Sequence, residues 1–354
     1  MNGDLDLEQR YRRVLRLLPG YYRDRWEEDM VAAFLDSWLT GDPDEDSVTM
    51  EYDRPARPEI ASVVGLAARL YLGGAGAPRR YFAWGQAVRL AVLTVTLVHA
   101  AGALDGFVRL VWTHRQLGPL RVPPANIPTA PSGGIWPTTG YAVDGAWIVI
   151  FLMMVLGHYR TARVIAVMAI VPGLAALLQH QLSGSLPAPY EAWAHWAVLG
   201  LVPVLATAAF YSGAPPAARR PWLLALPACY LLVYLPVLAI QATGNSAWLP
   251  DFSGLCCLLV ALACLAHAPR AWSRRSADSG VWSLTLTLLA AVAAAYRIIS
   301  ANDYLSYPHL MNVTQAELLI LLAAAALLAP DAVRAQAATP APHPHPEMRP
   351  RWPI

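Results

Sequence analysis

Few side chains in this chain could do chemistry, and they come in small groups. Glu191 and His195 are four residues apart, so one helix face would carry both, and His180 lies eleven residues before Glu191. His180, Glu191 and His195 offer the donor types of a zinc site, without the H-E-x-x-H spacing of a zinc hydrolase. The same groups also suit the wet end of a helix. Asp105 and Arg109 share the i,i+4 spacing and should pair locally, with His99 earlier on the same stretch. Glu317 should lie on the same side as Asp251, Arg297 and Asp303, where the four could form a polar vestibule for a ligand or a proton. The ligand-binding candidates are therefore His99, Asp105, Glu191, His195 and Glu317. Each has a plainer reading, as a packing histidine or an interfacial charge network.

No catalytic set accompanies them. There is no P-loop, no G-x-S-x-G and no dinucleotide fingerprint, and no cofactor is expected. Cys229, Cys256, Cys257 and Cys264 all fall in apolar stretches with no C-x-x-C, and Cys257 and Cys264 share a face at i,i+7. Packing accounts for them. His343 and His345 alternate with prolines in a tail, 330–354, that reads as extended and disordered.

The elements that must hold these groups are membrane helices. The chain is 56% hydrophobic and only 14% charged, with a mean hydropathy of +0.38; a soluble domain carries about a quarter charged residues. Eight apolar stretches occur near 85–108, 141–157, 161–180, 190–211, 221–241, 251–268, 281–299 and 313–329. A spanning helix needs roughly 20 such residues. Pro172, Pro203, Pro227 and Pro236 lie inside them, which membrane helices tolerate. Between the second and third stretches only His158, Tyr159 and Arg160 mark a break.

Arginine supplies the orientation. All 26 basic residues are arginine. Arg79 and Arg80 precede the first stretch, Arg160 and Arg163 follow the second, Arg219 and Arg220 the fourth, Arg270, Arg274 and Arg275 the sixth, and Arg334, Arg349 and Arg351 the eighth. The alternate loops carry only Arg115 and Arg121. Positive residues collect on the cytoplasmic side, so both termini are expected in the cytoplasm of a multi-pass plasma-membrane protein. Trp84, Trp112, Trp222, Trp248 and Trp282 sit near predicted ends, where indole suits the headgroup region.

Residues 1–80 carry a net charge of −4 and the remainder +6. The acidic N-terminal unit has no basic stripe, so direct nucleic-acid binding is not expected. No apolar leader opens the chain. Leu7, Tyr11, Val14, Leu15 and Leu18 form one helical stripe; Tyr22, Trp26, Met30, Phe34 and Trp38 form a second; Ile60, Val63, Val64, Ala67, Leu70 and Tyr71 form a third. Three such helices can bury one another's stripes in a cytosolic unit over 1–76. The predicted fold is thus all-α: a bundle of about eight spans over 84–329 with a small N-terminal three-helix unit.

The run Tyr11-Arg12-Arg13-Val14-Leu15-Arg16-Leu17-Leu18-Pro19, followed by Tyr22-Arg23 and Glu27-Glu28-Asp29-Met30, resembles the start of the HAAS-type domain that prefixes many actinobacterial integral membrane proteins. The resemblance covers about a fifth of the chain. It implies a regulatory role, often alongside PadR-type transcriptional regulators, and supplies no catalytic residue. Arg12, Arg13, Arg16, Glu27 and Glu28 are the residues expected to meet a cytosolic regulatory partner. Alternatively, Arg10, Arg12, Arg13 and Arg16 could lie on anionic headgroups. Besides the lipid bilayer, that partner is the one expected. The leading expectation is a non-enzymatic sensor or signalling protein; a transporter component and a metal-dependent membrane enzyme are the alternatives.

Overall fold

A computed structural model describes residues 6–38, 54–74, 77–117, 136–182, 190–211, 218–237, 252–273, 277–301 and 308–337. Some side chains within these ranges, Glu191 and Trp112 among them, fall outside the description. The acidic linker, Asp251, Asp303, Trp248 and the tail from residue 338 with His343 and His345 also lie outside it. Among the described residues there are eleven helices and no strand. They are α1 Leu7–Leu15, α2 Gly20–Trp38, α3 Arg57–Tyr71, α4 Arg79–Leu117, α5 Trp136–Leu156, α6 Tyr159–Leu182, α7 190–209, α8 Arg219–Val237, α9 Phe252–Ser273, α10 Ala277–Ser300 and α11 Pro308–Ala337. Two compact units divide them, one within Met1–Gly85 and one of Gln86–Ala337.

In the first unit the three stripes close on one another. Leu7, Tyr11, Leu15 and Leu18 meet Val31 and Phe34 of α2 and Val63, Ala67 and Leu70 of α3. The Tyr11 and Phe34 rings stack 4.0 Å apart. Trp38 donates its indole N–H to Glu59 Oε1 at 2.9 Å, and the other Glu59 oxygen accepts the Ala56 N–H, capping α3. The stripe drawn through Trp26 needs correction. Trp26 is only partly buried, lies beside Tyr22 and Arg25, and is outside the core, which Val31 fills instead. A strict four-residue interval drifts around a helix of 3.6 residues per turn, and Trp26 has left the buried face while Tyr22 still packs partly against the core. Val64 and Tyr71 of α3, each one position round the helix from the buried Val63 and Leu70, are exposed. Gly73 ends α3 at φ +79°, with Gly74 N–H on the Arg69 carbonyl and Gly73 N–H on that of Leu70. This is the left-handed glycine stop of many helices.

In the second unit seven helices are long and apolar enough to cross a membrane. The remaining expected span, the second, falls on α5, whose described apolar stretch is Val143–Leu156, about 21 Å of helix at 1.5 Å per residue. Gly157, at φ +92°, ends α5; His158 N–H reaches the Met153 carbonyl, and α6 begins at once. The α5–α6 pair is therefore a tight hairpin, closed by a glycine signal rather than by the polar run after it. At the far end α11 continues beyond 329 to Ala337.

Two surfaces explain the packing. Large apolar side chains face outward all round, among them Val164 and Met168 on α6, Leu224 and Leu232 on α8, and Leu262 and Leu319. Apolar exposure on this scale belongs in lipid. Inside, α9 turns Cys257, Ala261, Cys264, Ala268 and Ala271 toward Leu286, Ala290 and Ala293 of α10 and Leu321, Ala324 and Leu328 of α11. Small side chains let membrane helices approach closely, where dispersion rather than water drives association. Cys257 and Cys264 are buried packing groups, as their spacing implies. The chain is an all-α, polytopic membrane protein.

Candidate functional site: polar fastenings in the membrane unit

The polar side chains of the second unit gather at two levels. Toward one level lie the start of α9, the end of α10 and the start of α11. There Arg297 and Glu317 form an ion pair of 2.5 Å, and Arg297 Nη1 donates to Ser253 Oγ at 2.7 Å. Arg297 is 3% exposed and Glu317 6%. The expected grouping of Glu317 with Arg297 is therefore realised as a buried pair joining three helices. Asp251 and Asp303 lie outside the described residues.

Asp105 and Arg109 pair within α4 at 2.6 Å, with Asp105 buried. One turn back, Tyr234 of α8 donates to the Val98 carbonyl at 3.1 Å and lies over Gly102, where a Cβ would come within 3.2 Å of its hydroxyl. His99 stacks on Trp147 of α5 at 4.5 Å and hydrogen-bonds the Leu199 backbone of α7. Leu199 is four residues before Pro203. A proline has no N–H to give the carbonyl four residues back. In α7 the strain is spread over a π-helical turn, Trp196–Leu201, and His99 serves the carbonyl that Pro203 leaves. Neighbouring groups commonly re-satisfy such carbonyls in membranes.

The His195 ring meets Tyr296 of α10 edge-on at 5.5 Å, and His180 is exposed near the end of α6. The side chain of Glu191 is outside the described residues. Among the described residues no three His, Cys, Asp or Glu side chains come together to hold a metal ion.

Several groups at the opposite level escaped sequence reading. Asp331 of α11 accepts hydrogen bonds from Ser283 (2.7 Å) and Ser279 (3.3 Å) of α10, and His267 of α9 contacts the Ser279 carbonyl. A serine pair spaced i,i+4 in an apolar helix was the available signal. Arg89 of α4 donates to the Ala209 carbonyl at 3.3 Å, while Arg163 of α6 donates to those of Thr207 and Phe210, both at 3.1 Å. Two guanidiniums thus cap the C-terminus of α7, where free carbonyls and the helix dipole attract cations.

In the N-terminal unit, three of the five partner-binding candidates are engaged within the unit. Arg12 of α1 holds Glu28 of α2 through two hydrogen bonds of 2.8 and 2.9 Å, bonds Glu8 at 2.8 Å and lies 3.7 Å from Glu27. The Arg12 hydrogen bonds hold the Glu28 carboxyl below its ordinary range. Arg12, Glu27 and Glu28 thus fasten α1 to α2 while the Glu28 side chain stays largely exposed. Arg13 and Arg16 are exposed. Compared with protein families, curated proteins and solved structures, the chain matches none.

Proposed function

We propose that this protein is a non-enzymatic membrane signalling component whose N-terminal helical unit meets a cytosolic regulatory protein. What supports the reading is how the polar groups are used. In the membrane unit they tie helix to helix at two levels, through Arg297–Glu317, Asp331 with its serines, and Arg89 with Arg163. A transporter concentrates polar groups near the midplane of broken helices to hold its substrate, whereas His99, beside the π-helical turn of α7, is taken up by the Leu199 backbone. The N-terminal unit meanwhile closes its own core and keeps Arg13 and Arg16 exposed. The resemblance of its first two helices to the HAAS-type domain agrees. The arginine-rich level supports a cytoplasmic side for that level in a plasma-membrane protein.

The test is site-specific photo-crosslinking in cells with the full-length protein. A probe at Arg13 or Arg16 is expected to capture one discrete soluble protein, while probes at Leu232 or Val164 capture lipid alone. Probes at 13 and 16 that capture nothing, or purified protein that moves a solute into liposomes, would overturn the reading.

A further inference from the structure

α3 is apolar on two faces. Val63, Ala67 and Leu70 fill the core of the first unit. Ala61, Val64, Ala68 and Tyr71, spaced i, i+3, i+7 and i+10, form a second stripe turned away from that core. Val64 is 47% exposed and Tyr71 42%, and Ala61 and Gly65 beside them are exposed too. A helix apolar on both sides belongs where both are covered, and the unit's own helices cover only the first. Charge is divided the same way. No Asp or Glu occurs between Glu59 and Asp105, and Arg57, Arg69 and Arg80 are exposed. Among the described residues of the unit, the exposed acids, Asp24, Glu28, Asp29 and Asp36, all belong to α2.

The stripe runs into the start of a membrane span. The first turns of α4, to Gly85, belong to this same unit, and α3 ends against them. A Cβ on Gly85 would run into the Leu72 carbonyl, and one on Gly73 would come within 2.6 Å of the Phe82 Cα. The Tyr81 ring meets that of Tyr71 at 5.8 Å and that of Tyr21 at 5.3 Å, and Phe82 is 43% exposed. The candidate span Arg80–Arg109 has 30 residues, about 45 Å of helix, which matches a bilayer with both headgroup layers, about 40–45 Å. Its first turns therefore lie among headgroups, and the C-terminal end of α3 lies there with them. Tyrosine suits that layer.

We propose that the outer face of α3 is a contact surface for the anionic lipid leaflet that α4 enters. Ala61, Val64, Ala68 and Tyr71 settle into the boundary between headgroups and acyl chains, with Arg57 and Arg69 on the headgroups. Helices bind lipid in this way through apolar area and cationic attraction together. A stripe this short would hold a free helix weakly, but the span tethers it to the surface, so the contact forms at high effective concentration. The surface shares no residue with Arg13 and Arg16 of α1, so it stands or falls separately from the soluble partner proposed above.

The experiment places a photo-crosslinking amino acid at Ala61, at Val64 or, on α2, at the exposed Ala33. The full-length protein is purified into proteoliposomes of phosphatidylglycerol and phosphatidylcholine, and adducts are identified by mass spectrometry. Probes at Ala61 and Val64 are expected to capture lipid, and the probe at Ala33 none. A larger phosphatidylglycerol fraction should raise the yield at both α3 positions. The variant Val64→Asp with Gly65→Asp sets two carboxylates on the stripe. Both positions are exposed, and a Cβ on Gly65 meets nothing within 4 Å, so the core of the unit is untouched. In this variant the Ala61 probe should lose its lipid adduct while thermal unfolding stays near wild type. Absence of lipid adducts at Ala61 and Val64 in the wild-type background overturns the proposal. So does equal capture at Ala33, a yield indifferent to lipid charge, or an Ala61 adduct unchanged by the two aspartates. A chain-to-chain adduct in place of lipid would assign the face to a second copy and overturn the lipid assignment.

Discussion

At the scale of the residue, a histidine in a membrane helix invites a functional reading, because polar groups at that depth are costly. His99 has a structural employer: the Leu199 backbone, four residues before Pro203. That dependence can be measured. His99→Leu should destabilise the wild-type protein, and should cost less when Pro203→Ala restores an N–H to α7. A double-mutant cycle in detergent unfolding should give a coupling of about 0.6 to 1.7 kcal/mol, the range for hydrogen bonds between membrane helices. Zero coupling would return His99 to the list of ligand candidates. Arg297 and Glu317 make a sharper case. Removing one member of a buried pair strands the other charge, at about 3–5 kcal/mol. Arg297→Ala and Glu317→Ala should each lower the unfolding temperature strongly, while the double Arg297→Leu, Glu317→Leu variant should lose less than the sum of the single changes. Full additivity would mean that the two side chains do not stabilise each other.

At the scale of the element, glycines end helices that hydropathy leaves open. Gly157 holds φ +92°, and a Cβ there would meet nothing within 4 Å, so only the backbone objects to a side chain. Gly157→Asn should be tolerated and Gly157→Val should cost upward of about 1–2 kcal/mol, the penalty for a left-handed L-residue; equal stability of the two variants would contradict the hairpin geometry. This also explains what the sequence made legible. Apolar length located the long helices, and the face carrying Leu7, Tyr11, Leu15 and Leu18 was plain from its period. The α5–α6 turn falls at Gly157–His158, the leading edge of the expected break, because hydropathy responds to polarity while the turn depends on backbone freedom. Trp26 was misplaced because a four-residue interval outruns the helical turn. The Arg12–Glu28 fastening was illegible because it joins residues sixteen apart on different helices. It carries a pH consequence. Glu28 titrates below its unfolded value, so its contribution is complete above the ordinary glutamate pKa of about 4.3 and is lost as pH falls through the depressed folded value. Hydrogen exchange on α1 should rise below that range in wild type. Glu27→Arg with Glu28→Arg, which sets arginines against Arg12, should give the raised exchange already at neutral pH.

At the scale of the whole molecule, two independent arguments bear on orientation, and they can fail separately. The first is contact. Arg89 and Arg163, near the starts of α4 and α6, meet the end of α7; Ser279 and Ser283, at the start of α10, meet Asp331 at the end of α11; Thr285 reaches the Ala87 carbonyl. At the other level the start of α9, the end of α10 and the start of α11 join through Ser253, Arg297 and Glu317. These meetings require alternate helices to run in opposite directions, whatever the compartments are. The second argument is charge, which states only which level faces the cytoplasm. Reporter fusions after residues 80, 215 and 275 should read cytoplasmic, and fusions after 130, 185 and 246 should read external. If every fusion reports the opposite compartment, the helix order stands and the charge argument fails, taking with it the cytosolic placement of the N-terminal unit and the proposed soluble partner. If the fusions after 185 and 215 report the same side, α7 does not cross. The two arginines on its C-terminal carbonyls could not then share a leaflet level, and the fastening that organises α4, α6 and α7 would have to be redrawn.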